Sequence, residues 1–131
     1  MRICIDLDGV IADFKKEGQT YADVDPIPEA RAHVQALKDA GHTIIILTAR
    51  HMKTCGGNVG LVTARIGQAT IDWLDKHEIP YDELHFGKPW AHVYIDDNAY
   101  RFETWDKIGK DGSGLPENRE KLRQKEDQKK S

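Results

Sequence analysis

Apolar residues fall into short runs separated by polar and glycine-bearing stretches. Residues 2–7, "RICIDL", are apolar and β-rich and end at a turn, Asp8-Gly9. Residues 11–26 are polar and irregular. Residues 29–40 have helical periodicity: Ala30, Val34 and Leu37 share one face, Pro28 sits near the start and Gly41 marks the stop. A second strand, "HTIIIL", covers 42–47, and a loop with three glycines, "TARHMKTCGGNVG", follows. A longer helix over 61–77 stacks Val62, Ile66, Ala69 and Trp73, and Pro80 closes it. Residues 83–86 and 92–95, "HVYI", read as two further strands, the last running into Asp96-Asp97. A short helix is expected within 99–108 and a turn at "GKDGSG", 109–114.

The order β-α-β-α-β-β predicts a single Rossmann-like α/β domain over 1–108, with a central, mainly parallel sheet flanked by helices on its faces. Residues 109–131 read as a charged tail, flexible or a frayed helix, because beyond Leu115 and Leu122 it lacks an apolar stripe. Open parallel sheets bind ligands at the carboxyl ends of their strands. That rule places Asp6 and Asp8, Thr48, and Asp96 with Asp97 along one edge.

Composition narrows the class. The longest purely apolar run is 44–47, too short for a membrane span. The N-terminus lacks a basic region followed by a long apolar stretch, so the expected compartment is the cytoplasm. Cys4 and Cys55 form no CxxC pair, which argues against structural zinc or a disulfide framework. A net charge of −3 argues against a general nucleic-acid binder.

Four carboxylates in one crevice repel each other and lose hydration, so protons or a cation must offset them. Hard oxygen ligands in a partly open site suit Mg²⁺. Lys88 in "FGKPW" adds an ammonium and Thr48 a hydroxyl. This set fits phosphoryl transfer. Asp6 is placed to attack phosphorus, Asp8 to protonate the leaving alkoxide and then activate water, and Thr48 and Lys88 to grip the phosphoryl oxygens.

"DLDGV" (6–10), the Thr of "ILTAR" (46–50), the Lys of "GKP" (87–89) and "IDDN" (95–98) together resemble the motifs, in order, of the haloacid dehalogenase superfamily of aspartate-nucleophile phosphatases. The resemblance spans about residues 3–98. It implies Asp6 as nucleophile and metal ligand, Asp8 as acid/base with its carbonyl on the metal, Thr48 and Lys88 on phosphate, Asp96 completing the Mg²⁺ site and Asp97 supporting it. The position after Gly9, often Thr in that superfamily, is Val10 here. "TARHMKTCGGNVG", "WLDKHEIPYDELHFGKPW" and "VYIDD" are similar to the small phosphatases of capsular polysaccharide biosynthesis, which implies a sugar-phosphate-type substrate. "DLDGVIADF" is also similar to 5′(3′)-deoxyribonucleotidases. The stretch between Asp8 and Thr48 leaves room for a flap but not for a cap domain, so a capless, open site is expected.

With no cap, selection falls to loops or to a neighbouring subunit in a homo-oligomer. The loop after Thr48 is the candidate lip: Ala49, Arg50, Lys53 and Asn58 are the substrate-binding candidates, with His51 a weaker one. Trp73, Trp90 and Trp105 read as packing residues, Trp90 being the one at the site edge. Two alternatives to a small-molecule phosphatase stay open. One is a phosphatase acting on nucleotides or nucleic-acid ends; the other is a module that binds phosphorylated ligands without turnover. A phosphomutase is less favoured without a cap.

Overall fold

A computed structural model describes residues 1–117, 124 and 126–129. Strands β1 (Arg2–Asp6), β2 (Thr43–Thr48) and β3 (Glu83–Phe86) form a parallel sheet in the order β1-β2-β3. Helix α1 (Ala30–Asp39) links β1 to β2 and α2 (Val59–Lys76) links β2 to β3. The protein is a small α/β fold of the Rossmann-like kind, as its alternation of elements predicts.

Alternation along β2 sets the core. Ile44, Ile46 and Thr48 are buried, while Ile45 and Leu47 are only partly so. Ile5 pairs with Ile46, and one buried cluster joins these residues to Val34 and Leu37 of α1 and to Trp73 and Leu74 of α2. Burying such side chains contributes roughly 1.5–3 kcal/mol each. The opposite face is barer than expected: Cys4 and His85 on it are exposed and Asp6 is partly exposed.

Two indoles tie down the irregular connection between β1 and α1. Trp73 Nε1–H donates to the Val24 carbonyl and Trp105 Nε1–H to the Val10 carbonyl, each at 2.9 Å. Both tryptophans are packing residues, 2% and 3% exposed. Asn58 caps α2, its side chain accepting from the Leu61 N–H at 3.1 Å.

Residues 92–95 do not form the expected strand. All of 91–99 is exposed, Ile95 at 98%, and no strand pairs with the outer edge of β1 among the described residues. The helix expected within 99–108 is a single 3₁₀ turn, Trp105–Lys107. Of the tail from 116 on, the described residues are exposed, and Gln124 with 126–129 is helical; the remainder of that expectation lies outside the described residues. Among the described residues no helix is long and apolar enough to cross a membrane.

Asp82 locks the entry of β3 onto β2. Its Oδ2 accepts from the Ile44 N–H at 2.8 Å and its Oδ1 from Lys38 Nζ at 2.6 Å. The backbone bond from Ile44, then Lys38, holds its carboxyl below the usual range. A carboxyl depressed on folding contributes stability above its unfolded value and loses it as pH falls through the folded one. Asp82→Ala is expected to lower Tm at neutral pH and to flatten the fall in Tm from about pH 4 downwards. Thermal unfolding across that range checks it; parallel Tm profiles for variant and wild type contradict it.

Candidate active site

Asp6 ends β1, and the next residues turn sharply. The N–H groups of Ile11 and Ala12 both reach back to the Leu7 carbonyl, at 3.0 and 2.9 Å. Gly9 takes φ +89°, a left-handed conformation that strains any other residue, and a Cβ there would also push on the exposed Phe14 ring, 2.6 Å away. The turn holds Asp8 beside the end of β2. Thr48 Oγ1, fully buried, donates to Asp8 Oδ2 at 3.1 Å. The Lys88 N–H donates to the Thr48 carbonyl at 3.2 Å, which continues the β2–β3 pairing past Phe86. Lys88 Nζ then lies 3.5 Å from Asp6 Oδ2 and 4.3 Å from the Tyr94 ring.

Asp6, Asp8, Thr48 and Lys88 are therefore brought together at one end of the sheet. Burial pushes the Asp6 carboxyl above its ordinary value; Lys88 opposes that rise, and the nearby Asp8 charge adds to it. The result is a poorly hydrated carboxylate held by one ammonium.

Arg50 lines the cleft beside Asp8, with its side chain engaged inward. Its side chain has no exposed surface, and Nε donates to Asp8 Oδ1 and Oδ2 at 3.0 and 3.2 Å. Nη2 lies 2.9 Å from Oδ1, off the line of a hydrogen bond. The arginine expected on substrate thus holds the Asp8 carboxylate through Nε. Thr48 is similarly engaged: besides donating to Asp8, its hydroxyl accepts from the Arg50 N–H at 3.1 Å.

A cleft of about 420 Å³ opens beside Asp8. Ala49, Arg50 and Lys53 line it, with Phe14, Lys15, Tyr21, His51, Thr54 and Trp90. Trp90 is half exposed and Phe14 more so. Lys53 Nζ sits 4.7 Å from the Trp90 ring centroid and Lys15 Nζ 5.3 Å from that of Tyr21. His51 adopts φ +59°, uncommon for a non-glycine residue, and its Nδ1 is buried without a hydrogen-bond partner. Asn58, a cap of α2, does not line this cleft. Phe14, Lys15 and Tyr21 carried no sequence signal, because they reach the site only through the course of the β1–α1 connection.

The expected four-carboxylate metal site is not assembled. Asp96 and Asp97 lie on the exposed 91–99 segment, where Asp96 Oδ1 accepts from the Asn98 N–H at 3.2 Å. Among the described residues, no group of three or more His, Cys, Asp or Glu could hold a metal ion. The physical reason is the missing strand: without pairing of 92–95 along β1, nothing carries Asp96 to the end of the sheet. Asp6 and the Asp8 main chain remain as oxygen donors, fewer than the sequence implies, and Mg²⁺ is commonly held by one or two carboxylates together with water and a substrate phosphate.

No protein-family model matches the chain. A protein of Chlorobaculum tepidum named "Putative 5′(3′)-deoxyribonucleotidase" is 33% identical over 84 residues. That match covers 61% of this chain and 39% of the relative, so the chain spans about two fifths of that protein's length. A crystal structure of a Vibrio cholerae protein superposes with a TM-score of 0.71 at 33% identity, covering 95% of each chain. Identity at that level over nearly the whole of both chains means that this protein belongs to the same family as the Vibrio cholerae protein.

Proposed function

We propose that the protein is a phosphomonoesterase of the haloacid dehalogenase type, hydrolysing a phosphorylated small molecule through an aspartyl-phosphate on Asp6. The observation that carries this reading is the pairing of Asp6 with Lys88 at 3.5 Å, next to Asp8 held by Thr48. A nucleophile, an acid/base and a phosphate-binding cation occupy adjacent positions at the carboxyl ends of β1 and β2 and just past β3. The printed name of the Chlorobaculum tepidum relative points to the same chemistry.

In this reading an Asp6 carboxylate oxygen forms a bond to phosphorus as the bond to the leaving oxygen breaks. The electron pair stays on that oxygen, which takes a proton from Asp8. Water then attacks phosphorus and gives a proton to Asp8, and the Asp6–phosphorus bond breaks to release phosphate. Lys88 neutralises phosphoryl charge throughout. Mg²⁺ dependence is part of the proposal on the strength of the sequence motif.

The capsular-phosphatase resemblance favours a sugar. A second reading, a nucleotide, is favoured by the cleft itself: Phe14, Tyr21 and Trp90 offer ring faces beside Asp8, and a base stacked on such a ring gains about 1–3 kcal/mol.

The test is hydrolysis of 4-nitrophenyl phosphate, acetyl phosphate, ribose 5-phosphate and nucleoside monophosphates by the purified protein, with Mg²⁺ titrated from zero. Mg²⁺-stimulated release of phosphate is expected, with nucleoside monophosphates ahead of ribose 5-phosphate by about tenfold or more if the rings bind the base. A folded protein that releases phosphate from none of them is a binding module, and the proposal fails. Turnover indifferent to Mg²⁺ removes the metal from it.

A further inference from the structure

The guanidinium of Arg50 is buried more deeply than the carboxylate it holds, whose side chain keeps 24% of its surface. A cation without exposed surface loses several kcal/mol of hydration, which only well-formed contacts offset. Those contacts engage Nε, Nη1 and one face of the guanidinium, and leave Nη2 without a hydrogen bond. Asp8 takes Nε and faces Nη2, Thr70 Oγ1 accepts from Nη1 at 3.4 Å, and the Tyr21 ring lies 4.3 Å from the guanidinium carbon. Thr70 is fully buried and donates in turn to the Ile66 carbonyl at 2.8 Å, so the body of α2 fixes where the guanidinium sits.

Asp8 thus has two anchors at the end of β2, Thr48 and Arg50, the second braced against α2 through Thr70. A carboxylate free to rotate presents its oxygens to a leaving group only part of the time. One gripped through both oxygens presents a fixed edge. To turn toward a substrate phosphate, Nε and Nη1 would have to leave Asp8 and Thr70, and Nη2 is the one nitrogen left without a hydrogen bond.

We infer that Arg50 is a positioning residue, acting on the reaction through Asp8: it orients the acid/base carboxylate toward the leaving oxygen and does not bind the phosphoryl group. The inference rests on the phosphatase reading. It predicts a dependence on the leaving group that a phosphate ligand or a purely structural arginine would not show. An alkoxide needs the proton from Asp8 as its bond to phosphorus breaks, whereas 4-nitrophenolate leaves without one.

The experiment compares kcat/KM, which reports steps up to departure of the leaving group, for ribose 5-phosphate and for 4-nitrophenyl phosphate. In Arg50→Met the loss on ribose 5-phosphate is expected to exceed the loss on 4-nitrophenyl phosphate by about tenfold or more, since positioned acid catalysis contributes about 10²–10⁴-fold. Inhibition by inorganic phosphate should move less than about threefold, a change well under 1.4 kcal/mol. Arg50→Lys keeps a charge beside Asp8 but lacks the planar fork, and should fall between wild type and Arg50→Met in the ratio of the two substrates. It also serves if circular dichroism shows Arg50→Met unfolded. Equal losses on both esters overturn the proposal alone, and so does tenfold weaker inhibition by phosphate, which would make Arg50 a phosphate ligand. Failure of the wild-type protein to hydrolyse either ester overturns the phosphatase reading and the proposal with it.

Discussion

Asp6→Asn is expected to lower kcat/KM by about 10⁴-fold or more while leaving the fold intact. The carboxamide matches the carboxylate in shape but has no anionic oxygen to attack phosphorus, so the covalent route closes at its first step. The same change should raise stability slightly. Burial lifts the Asp6 carboxyl above its ordinary value, so between the unfolded and folded values the native state holds the extra proton. Stability then falls as pH rises through that window. Asparagine carries no such titration, so its advantage over wild type should grow from about pH 4 upwards and level off once the raised value is passed. A third of the Asp6 side chain is exposed and Lys88 opposes the shift, so solvent screening keeps the gain small, within about 3 °C in Tm. Turnover within about tenfold of wild type would remove Asp6 as the nucleophile. A lower Tm in the variant would mean that its contact with Lys88 outweighs the burial of its charge.

Why these residues were legible, and others not, follows from the range of the forces that place them. Strand β3 matches its expected bounds, 83–86, and α1 and α2 shift by no more than two residues at either end, because apolar spacing, Pro28, Gly41 and Pro80 are local signals. Asp6, Asp8, Thr48 and Lys88 come together because strand ends in a parallel sheet are adjacent whatever the loops do. Segment 92–95 has the composition of a strand, but a strand also needs a partner edge, and composition does not supply one. Asp96 and Asp97 depended on that pairing and are left exposed with it. Arg50 stood beside Thr48 in the sequence and was expected on substrate. Its actual partner is 42 positions away and its brace, Thr70, is on the far helix. Asn58 looked like a ligand because its role as helix cap shows only once α2 is seen to begin at Val59.

Trp73→Ala should be the most damaging substitution to the fold, costing about 3–5 kcal/mol out of a total of about 5–15 kcal/mol for a domain of this kind. Trp73 is 2% exposed, packs in the main core and meets the His77 ring at 4.5 Å in a tilted arrangement. Its indole also bonds the Val24 carbonyl across 49 residues. Trp73→Phe separates the two contributions, since most of the packing survives and the Val24 carbonyl loses its donor. Val24 is itself 2% exposed, so the orphaned acceptor should cost about 1–3 kcal/mol. The consequence reaches the site through the chain. Val24 follows the 3₁₀ turn Tyr21–Asp23, which packs on α2 and sets the Tyr21 ring against Arg50. Freed from Trp73, that connection should open ahead of the sheet. Limited proteolysis of Trp73→Phe should then cut within 14–25 faster than the wild-type protein, at a temperature well below the variant's Tm. An unchanged cleavage rate there, with a lowered Tm, would mean that the connection is held by the Val10–Trp105 bond and by α1 rather than by Trp73. The order of the aromatic cleft would then depend on the C-terminal turn at Trp105–Lys107.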